Sequence, residues 1–349
     1  MLKRVNKHRY YYIVVGSYGK KEEESIQILL FDTEQMTLSK QIGITGIENP
    51  SFLTVNRDGT HLYVLSEVEK GEIIVFQVDW EKREAIESSR CDTNGAHPCH
   101  IQLSEDERML LSANYGGSSI GIYSLSGNGE IALCGGDVYE KDGAIVSKPH
   151  MVKAVRSEGS AYAVTDLGKD KLYLYQRVEG KLENRVTIPV PTGAGPRHIE
   201  INEEKNMMYV IHEFQSSISA YRFNNAVTSL EKIQEVSTLP EGYGGESFGA
   251  HLQLSSNADY LYASNRGHDS IVRFQVDDSG LLKEPSFTPT YGRWPRHFAV
   301  LENNEFALIA NEHSNDITVL RLNENGQLLE KVELRYTIKN PTCIYVQHV

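Results

Sequence analysis

The chain has 349 residues, 40% of them hydrophobic and 23% charged, and a formal net charge of −12. This composition excludes a wholly disordered chain and a multispan membrane protein, and the acidic excess repels nucleic acid and anionic lipid at long range. An anionic ligand must therefore be gripped by basic groups gathered locally in a pocket.

The first periodic segment is YYYIVVGSYG (10–19), dominated by Tyr, Ile and Val, which reads as a β-strand. The apolar part is shorter than a signal h-region and lacks a small-residue cleavage site, so no targeting segment is expected. No run approaches the ~20 apolar residues that span a bilayer. Two more strands follow, SIQILLFDTE (25–34) and MTLSK (36–40).

From Asn49 onward one pattern recurs. Weaker copies begin at Asn49 (NPSFLTVNRDGTHLYVLSEVEKGEIIVFQV) and Lys148. Clearer ones begin at His97 (HPCHIQLSEDERMLLSANYGGSSIGIYSL), Gly195, Phe248 and Trp294. The marker Pro, or the Gly in its place, falls at Pro50, Pro98, Pro149, Pro196, Gly249, Pro295 and Pro341, at intervals of 46–53 residues. Each copy reads as a short apolar strand, a polar turn (SEDER, NRDG), a second strand ending in a polar pair, and a turn such as RGHDS. A third alternating strand (IVRFQV, ITVLRL), a turn such as DDSG and an edge-like fourth strand complete it. Period-two alternation with closely spaced turns describes antiparallel sheet, and no segment offers an amphipathic helix.

Four strands per ~40–50 residues is the signature of a propeller blade. The expected fold is therefore all-β, a single seven-bladed β-propeller domain over 1–349 with four antiparallel strands per blade. Six copies are complete. The C-terminal NPTCIYVQ (340–347) supplies only a first strand and the N-terminus only the remaining ones. Together they predict a seventh blade closed by both chain ends, which removes the seam of the ring.

This grammar places chemistry. Residues one and two after the marker, and sixteen and seventeen after it, share one channel mouth. The first set includes Cys99-His100, His150-Met151, Arg197-His198, Ala250-His251 and Arg296-His297. The second includes Ser66-Glu67, Asn114-Tyr115, Thr165-Asp166, His212-Glu213, Asn265-Arg266 and Asn311-Glu312, with Ser17-Tyr18 in the composite blade. Blade packing does not call for Arg at the axis, and buried charge is costly unless paired or used. Arg197, Arg266, Arg296 and Glu213 together therefore mark a ligand site. His100, His198 and His251 occupy a common repeat position and read first as contacts holding the blades in register. With Asn114, Asp166 and Glu312 they are also candidate substrate contacts.

Guanidiniums grip carboxylate or phosphate in bidentate fashion and stabilise a developing oxyanion, while a carboxylate or neutral imidazole accepts a proton from water. Hydrolysis of an ester or lactone bearing an anionic group uses all three. No G-x-S-x-G elbow appears, so direct attack by water is expected rather than an acyl-enzyme. The His are spread over different blades with no HxH or HExxH spacing, so no catalytic metal is expected. GYGGESFG (242–249) precedes a strand and reads as a rim loop. The four cysteines, Cys91, Cys99, Cys134 and Cys343, lack CxxC spacing and read as reduced packing thiols of a cytoplasmic protein.

The segments SKPH (147–150), TDLGKDKLY (165–173), GAGPRHI (193–199), SNRGHDSI (264–271) and WPRHF (294–298) resemble the lactonase family of seven-bladed propellers, over essentially the whole chain. The resemblance implies hydrolysis of 6-phosphoglucono-1,5-lactone to 6-phosphogluconate, in the pentose phosphate pathway and without a cofactor. It also implies Arg197 and Glu213 with His150 as catalytic groups, and Arg266 and Arg296 as anion-binding ones. Family members often read K-P-H-x-H. Here Met151 and Val152 follow His150, so either a one-residue shift lets His150 serve or Glu213 acts as base. The expected partner is a small anionic sugar lactone, with no nucleic acid, no membrane and a monomeric chain. The alternatives are a non-catalytic propeller that binds a sugar acid or a protein, and a carboxymuconate-type lactonizing enzyme.

Overall fold

The computed structural model describes residues 9–139, 145–323 and 325–348. Residues 1–8, which bear on the targeting expectation, lie outside the described residues, as does the Cys134 side chain. The chain forms seven four-stranded antiparallel sheets, arranged as the seven blades of a propeller. Among the described residues the one helical element is a 3-10 turn, Glu312–Ser314, and no helix is long and apolar enough to cross a membrane.

Six blades use consecutive strands. Numbered in chain order, their inner strands are Leu53–Val55, Pro98–Leu103, Pro149–Ala154, Pro196–Asn202, Phe248–Leu254 and Pro295–Val300, all within three residues of the repeated Pro or Gly. The seventh blade joins the C-terminal Pro341–His348, as inner strand, to Tyr10–Ser17, Ile26–Asp32 and Thr37–Ile44. Tyr10–Ser17 pairs antiparallel with the C-terminal strand, Val14 opposite Tyr345 and Val15 opposite Ile344. The ends of the chain thus close the ring through a hydrogen-bonded ladder.

Alternation along each strand sends side chains to the two flanking blades. In the composite blade, Tyr11, Ile13 and Val15 pack on Ala299, Leu308 and Ile317 of blade six. Val14, Ile26 and Ile28 pack instead on Leu62, Val64 and Ile74 of blade one. Because Ile13 is fully buried in this seam, Ile13→Ala is expected to cost about 2–5 kcal/mol in chemical denaturation. An unchanged midpoint would show that the seam contributes no packing.

One expectation fails. Cys91 is disulfide-bonded, so the four cysteines are not all reduced thiols. Cys99 and Cys343 are free and buried, as expected of packing residues.

Candidate active site

A backbone irregularity aims the first set of residues. In five blades the pairing of first and second strands breaks just after the marker, between Pro98 and His100, Pro149 and Met151, Pro196 and His198, Gly249 and Leu252, and Pro295 and His297. A β-bulge leaves one residue outside the ladder and re-aims its side chain. The bulged positions hold Cys99, His150, Arg197, Ala250 with His251, and Arg296. His150 is thereby the positional counterpart of Arg197 and Arg296.

A second device fixes one residue per blade beside them. The amides of Tyr18, Glu67, Tyr115, Leu167, Glu213 and Glu312 donate to the carbonyls of Asn340, Asn49, His97, Lys148, Gly195 and Trp294, at 2.7–3.0 Å. Arg266, opposite Phe248 in the ladder, fills this position in blade five.

The side chains join into two ionic groups. Arg197 Nε donates to Glu213 Oε2 at 3.0 Å, and its Nη1 donates to the Ala250 carbonyl at 2.7 Å and faces His198 Nε2 at 3.1 Å. Arg266 Nη2 reaches the same Glu213 Oε2 at 3.0 Å and the Gly249 carbonyl at 3.2 Å. In the other group Arg296 Nη2 donates to the Tyr18 phenol at 2.8 Å and its Nη1 faces Glu312 Oε2 at 3.4 Å. The phenol donates in turn to Glu67 Oε2 at 3.0 Å. Aromatic rings flank the cations. The Arg266 guanidinium lies 5.9 Å from the Phe248 ring and 5.5 Å from Trp294, and Lys148 Nζ lies 5.1 Å from Tyr115.

Arg197 is only 2% exposed, so its charge feels its neighbours strongly. Burial, followed by the nearby Arg266, pushes it down to about 9. Burial raises the Glu213 carboxyl, but Arg266 and Arg197 outweigh it and hold the group below the usual carboxylate range. Burial opposes charge on Arg296, yet Tyr18, Glu312 and Glu67 together push it above the ordinary arginine value. Burial and then Arg197 hold His150 well below its ordinary value, so it is a neutral imidazole. Two polar atoms here, Arg266 Nε and His150 Nδ1, are buried and have no hydrogen-bond partner among the described residues. Such atoms are rare in a finished core and suit a site completed by a ligand.

Below this mouth the channel is plugged. Phe52, His100, His198, His251 and His297 touch in a ring, with His251 and His297 stacked at 3.9 Å and His198 Nδ1 2.9 Å from His251 Nδ1. Beyond the plug the opposite mouth opens as a cavity of about 360 Å³, lined by Lys153, Glu200, Gln102 and Gln253 and by none of the Arg or Glu residues above.

The sequence-derived candidates separate accordingly. Arg197, Glu213, Arg266, Arg296, Glu312 and His150 meet at one mouth. His198 touches Arg197 but belongs to the plug, and His100 and His251 line the cavity on the far side, so none of the three is placed as a mouth contact. Asn114 and Asp166 are fully buried braces. Asn114 donates to Ser119 Oγ and the Thr93 carbonyl, while Asp166 accepts from Ser147, the Lys148 amide and the Tyr173 phenol. Asp166 pairs opposite Pro149, because blade three carries one extra residue between its first two strands. Leu167 therefore takes the mouth position that even spacing gave to Asp166. Two further residues at the mouth, Tyr18 and Glu67, occupy the same repeat positions, and no motif in the sequence marks them as functional. Among the described residues no three His, Cys, Asp or Glu are grouped to hold a metal ion.

The family model described as Lactonase, 7-bladed beta-propeller, matches residues 12–346. The chain belongs to this lactonase family. It is accordingly a lactone-hydrolysing enzyme, a carboxylic ester hydrolase. It is 28% identical over 344 residues to the 6-phosphogluconolactonase of Bacillus subtilis, covering 96% of this chain and 97% of that one. It is 29% identical over 348 residues to the 6-phosphogluconolactonase of Formosa agariphila, covering 95% and 98%. Among solved structures it superimposes on the periplasmic gluconolactonase PpgL of Pseudomonas aeruginosa with a TM-score of 0.90 at 24% identity, over 97% of this chain and 99% of that one. That likeness shows the shared fold.

Proposed function

We propose that this lactonase hydrolyses 6-phosphoglucono-1,5-lactone to 6-phosphogluconate, as a cytoplasmic monomer and without a cofactor. The observation that carries the reading is the convergence of Arg197, Arg266 and Arg296 at one mouth of an otherwise acidic protein. Two anionic ends need cations during the reaction, the permanent phosphate and the oxygen that becomes negative at the reacting carbon. The two ionic groups supply one place for each. Arg266, with its unpartnered Nε and its aromatic neighbours, takes the phosphate beside Arg197, and Arg296 takes the carbonyl oxygen. Glu213 holds Arg197 and Arg266 in register rather than serving as base, because both guanidiniums already bond its Oε2.

The test is an initial-rate pH-stat assay on freshly prepared 6-phosphogluconolactone, corrected for spontaneous opening. A rate well above background is expected, and a rate equal to background would refute the reading. Arg266→Gln is expected to raise KM for the phosphorylated lactone by about 10–100-fold, the worth of a charge-assisted bond, with a smaller change for glucono-1,5-lactone. Equal changes for both lactones would place the phosphate elsewhere.

One observation favours a second reading. The Cys91 disulfide is the chemistry of an oxidising compartment, and a structural relative is a periplasmic gluconolactonase. An unphosphorylated aldonolactone outside the cytoplasm would fit both, and a side-by-side kcat/KM comparison of the two lactones decides.

A further inference from the structure

The general base for this reaction has to be a carboxylate or imidazole that is not already committed. Glu213 Oε2 accepts from Arg197 and Arg266, and Glu312 Oε2 faces Arg296. His150 has an unpartnered Nδ1, but it is buried against Tyr115 and His198 and close to the positive charge of Arg197, which opposes its taking up a proton. Glu67 differs. It is half-buried, forms no ion pair among the described residues, and is held by one side-chain bond, from the Tyr18 phenol to Oε2. Among the described residues its Oε1 has no hydrogen-bond partner. The phenol is itself fixed, because it accepts from Arg296 Nη2 at 2.8 Å while the guanidinium carbon lies 5.2 Å from its ring centre. One phenol thus sets a guanidinium and an available carboxylate side by side.

We propose that Glu67 is the general base of lactone opening and that Tyr18 is its positioning residue. The inference rests on the lactonase function proposed above. With the carbonyl oxygen on Arg296, a water on Glu67 Oε1 stands beside the carbonyl carbon. Glu67 takes one proton as the water oxygen bonds to that carbon, and the carbonyl electron pair moves onto the oxygen facing Arg296. Collapse restores the carbonyl and breaks the bond to the ring oxygen, which takes the proton from Glu67 and becomes the free hydroxyl. The carboxylic acid so formed releases its own proton to solvent. One water is consumed, and no oxidant, reductant or cofactor is needed.

The experiment measures kcat and KM for 6-phosphogluconolactone in the full-length wild type, Glu67→Gln, Tyr18→Phe and Glu67→Ala. Glu67→Gln is expected to lose about 10²-fold or more in kcat with KM within a few-fold, as for loss of a general base. Tyr18→Phe keeps the carboxylate but releases it, and is expected to lose about 10-fold in kcat. Added formate is expected to restore at least ~10-fold to Glu67→Ala, because a small carboxylate can occupy the vacated position. A folded Glu67→Gln with wild-type kcat overturns the assignment, and so does formate rescue of Glu213→Ala but not of Glu67→Ala. If Glu67→Gln melts early, the formate response of Glu67→Ala decides. A wild type without lactonase activity refutes the function itself. Active wild type with active Glu67→Gln refutes only the role of Glu67.

Discussion

Arg296→Gln will lose at least ~10²-fold in kcat on the lactone substrate, the usual cost of removing a donor aimed at a developing oxyanion. The neutral amide cannot replace the charge that grows on the carbonyl oxygen as water adds. It also leaves the Tyr18 phenol without its donor and Glu312 without its cation. Arg296→Lys will not restore the rate, because an ammonium lacks the planar fork that reaches Tyr18 through one nitrogen and Glu312 through another. Removing one partner of a buried pair also weakens the fold, by about 3–5 kcal/mol in unfavourable cases. The rate must therefore be read below the melting temperature of the variant. If folded Arg296→Gln turns over normally, the carbonyl oxygen rests elsewhere.

The second large effect is on stability against acid. His100, His150, His198, His251 and His297 crowd the channel, and burial above all holds each neutral in the folded chain, His297 down at about 3. Arg197 adds to this at every one of the five, and Lys153 at His100 and His251. An unfolded imidazole binds its proton near pH 6.5, so below that pH the unfolded chain takes up protons that the native channel excludes. Stability falls as pH drops, by ~1.4 kcal/mol per pH unit for each excluded proton. Between pH 6.5 and 5 this reaches about 2 kcal/mol per imidazole, against a total of about 5–15 kcal/mol for a typical domain. Carboxylates such as Glu213, whose folded value is depressed, withdraw their contribution only at lower pH, so this window isolates the imidazoles. Acidification also relieves the self-repulsion of a chain with net charge −12, which acts in the opposite direction. A melting temperature that drops steeply from pH 7 to 5 is expected. A flat profile in high salt, where the self-repulsion is screened, would show that the plug accepts protons while folded.

The repeat made the architecture legible because seven markers at nearly even intervals admit one arrangement, including the blade shared by the two chain ends. The same evenness misled at Asp166, where a single extra residue before the second strand shifts every later position by one. Nor did residue type separate brace from ligand contact. Asn114 and Asp166 look like functional groups, but the first-to-second-strand pairing turns them into the buried ends of blades, where unmet polar atoms would be costly. The His residues two places after the marker look like mouth residues until the bulge is counted. In blades four and six the bulge gives the preceding Arg197 or Arg296 to the mouth and leaves His198 and His297 in the channel. The disulfide at Cys91 has no CxxC or other close spacing in the sequence to announce it. Tyr18 and Glu67 needed pairing across the composite seam to become visible, since the phenol and the carboxylate lie 49 residues apart and Arg296 lies 278 from Tyr18.

The most direct test of the site is a crystal of the wild-type protein soaked with 6-phosphogluconate. The phosphate is expected within hydrogen-bond distance of Arg266 and the product carboxylate against Arg296, with one carboxylate oxygen near Glu67. Product bound instead in the far cavity beside Lys153 and Glu200, with the arginine mouth vacant, would contradict this placement.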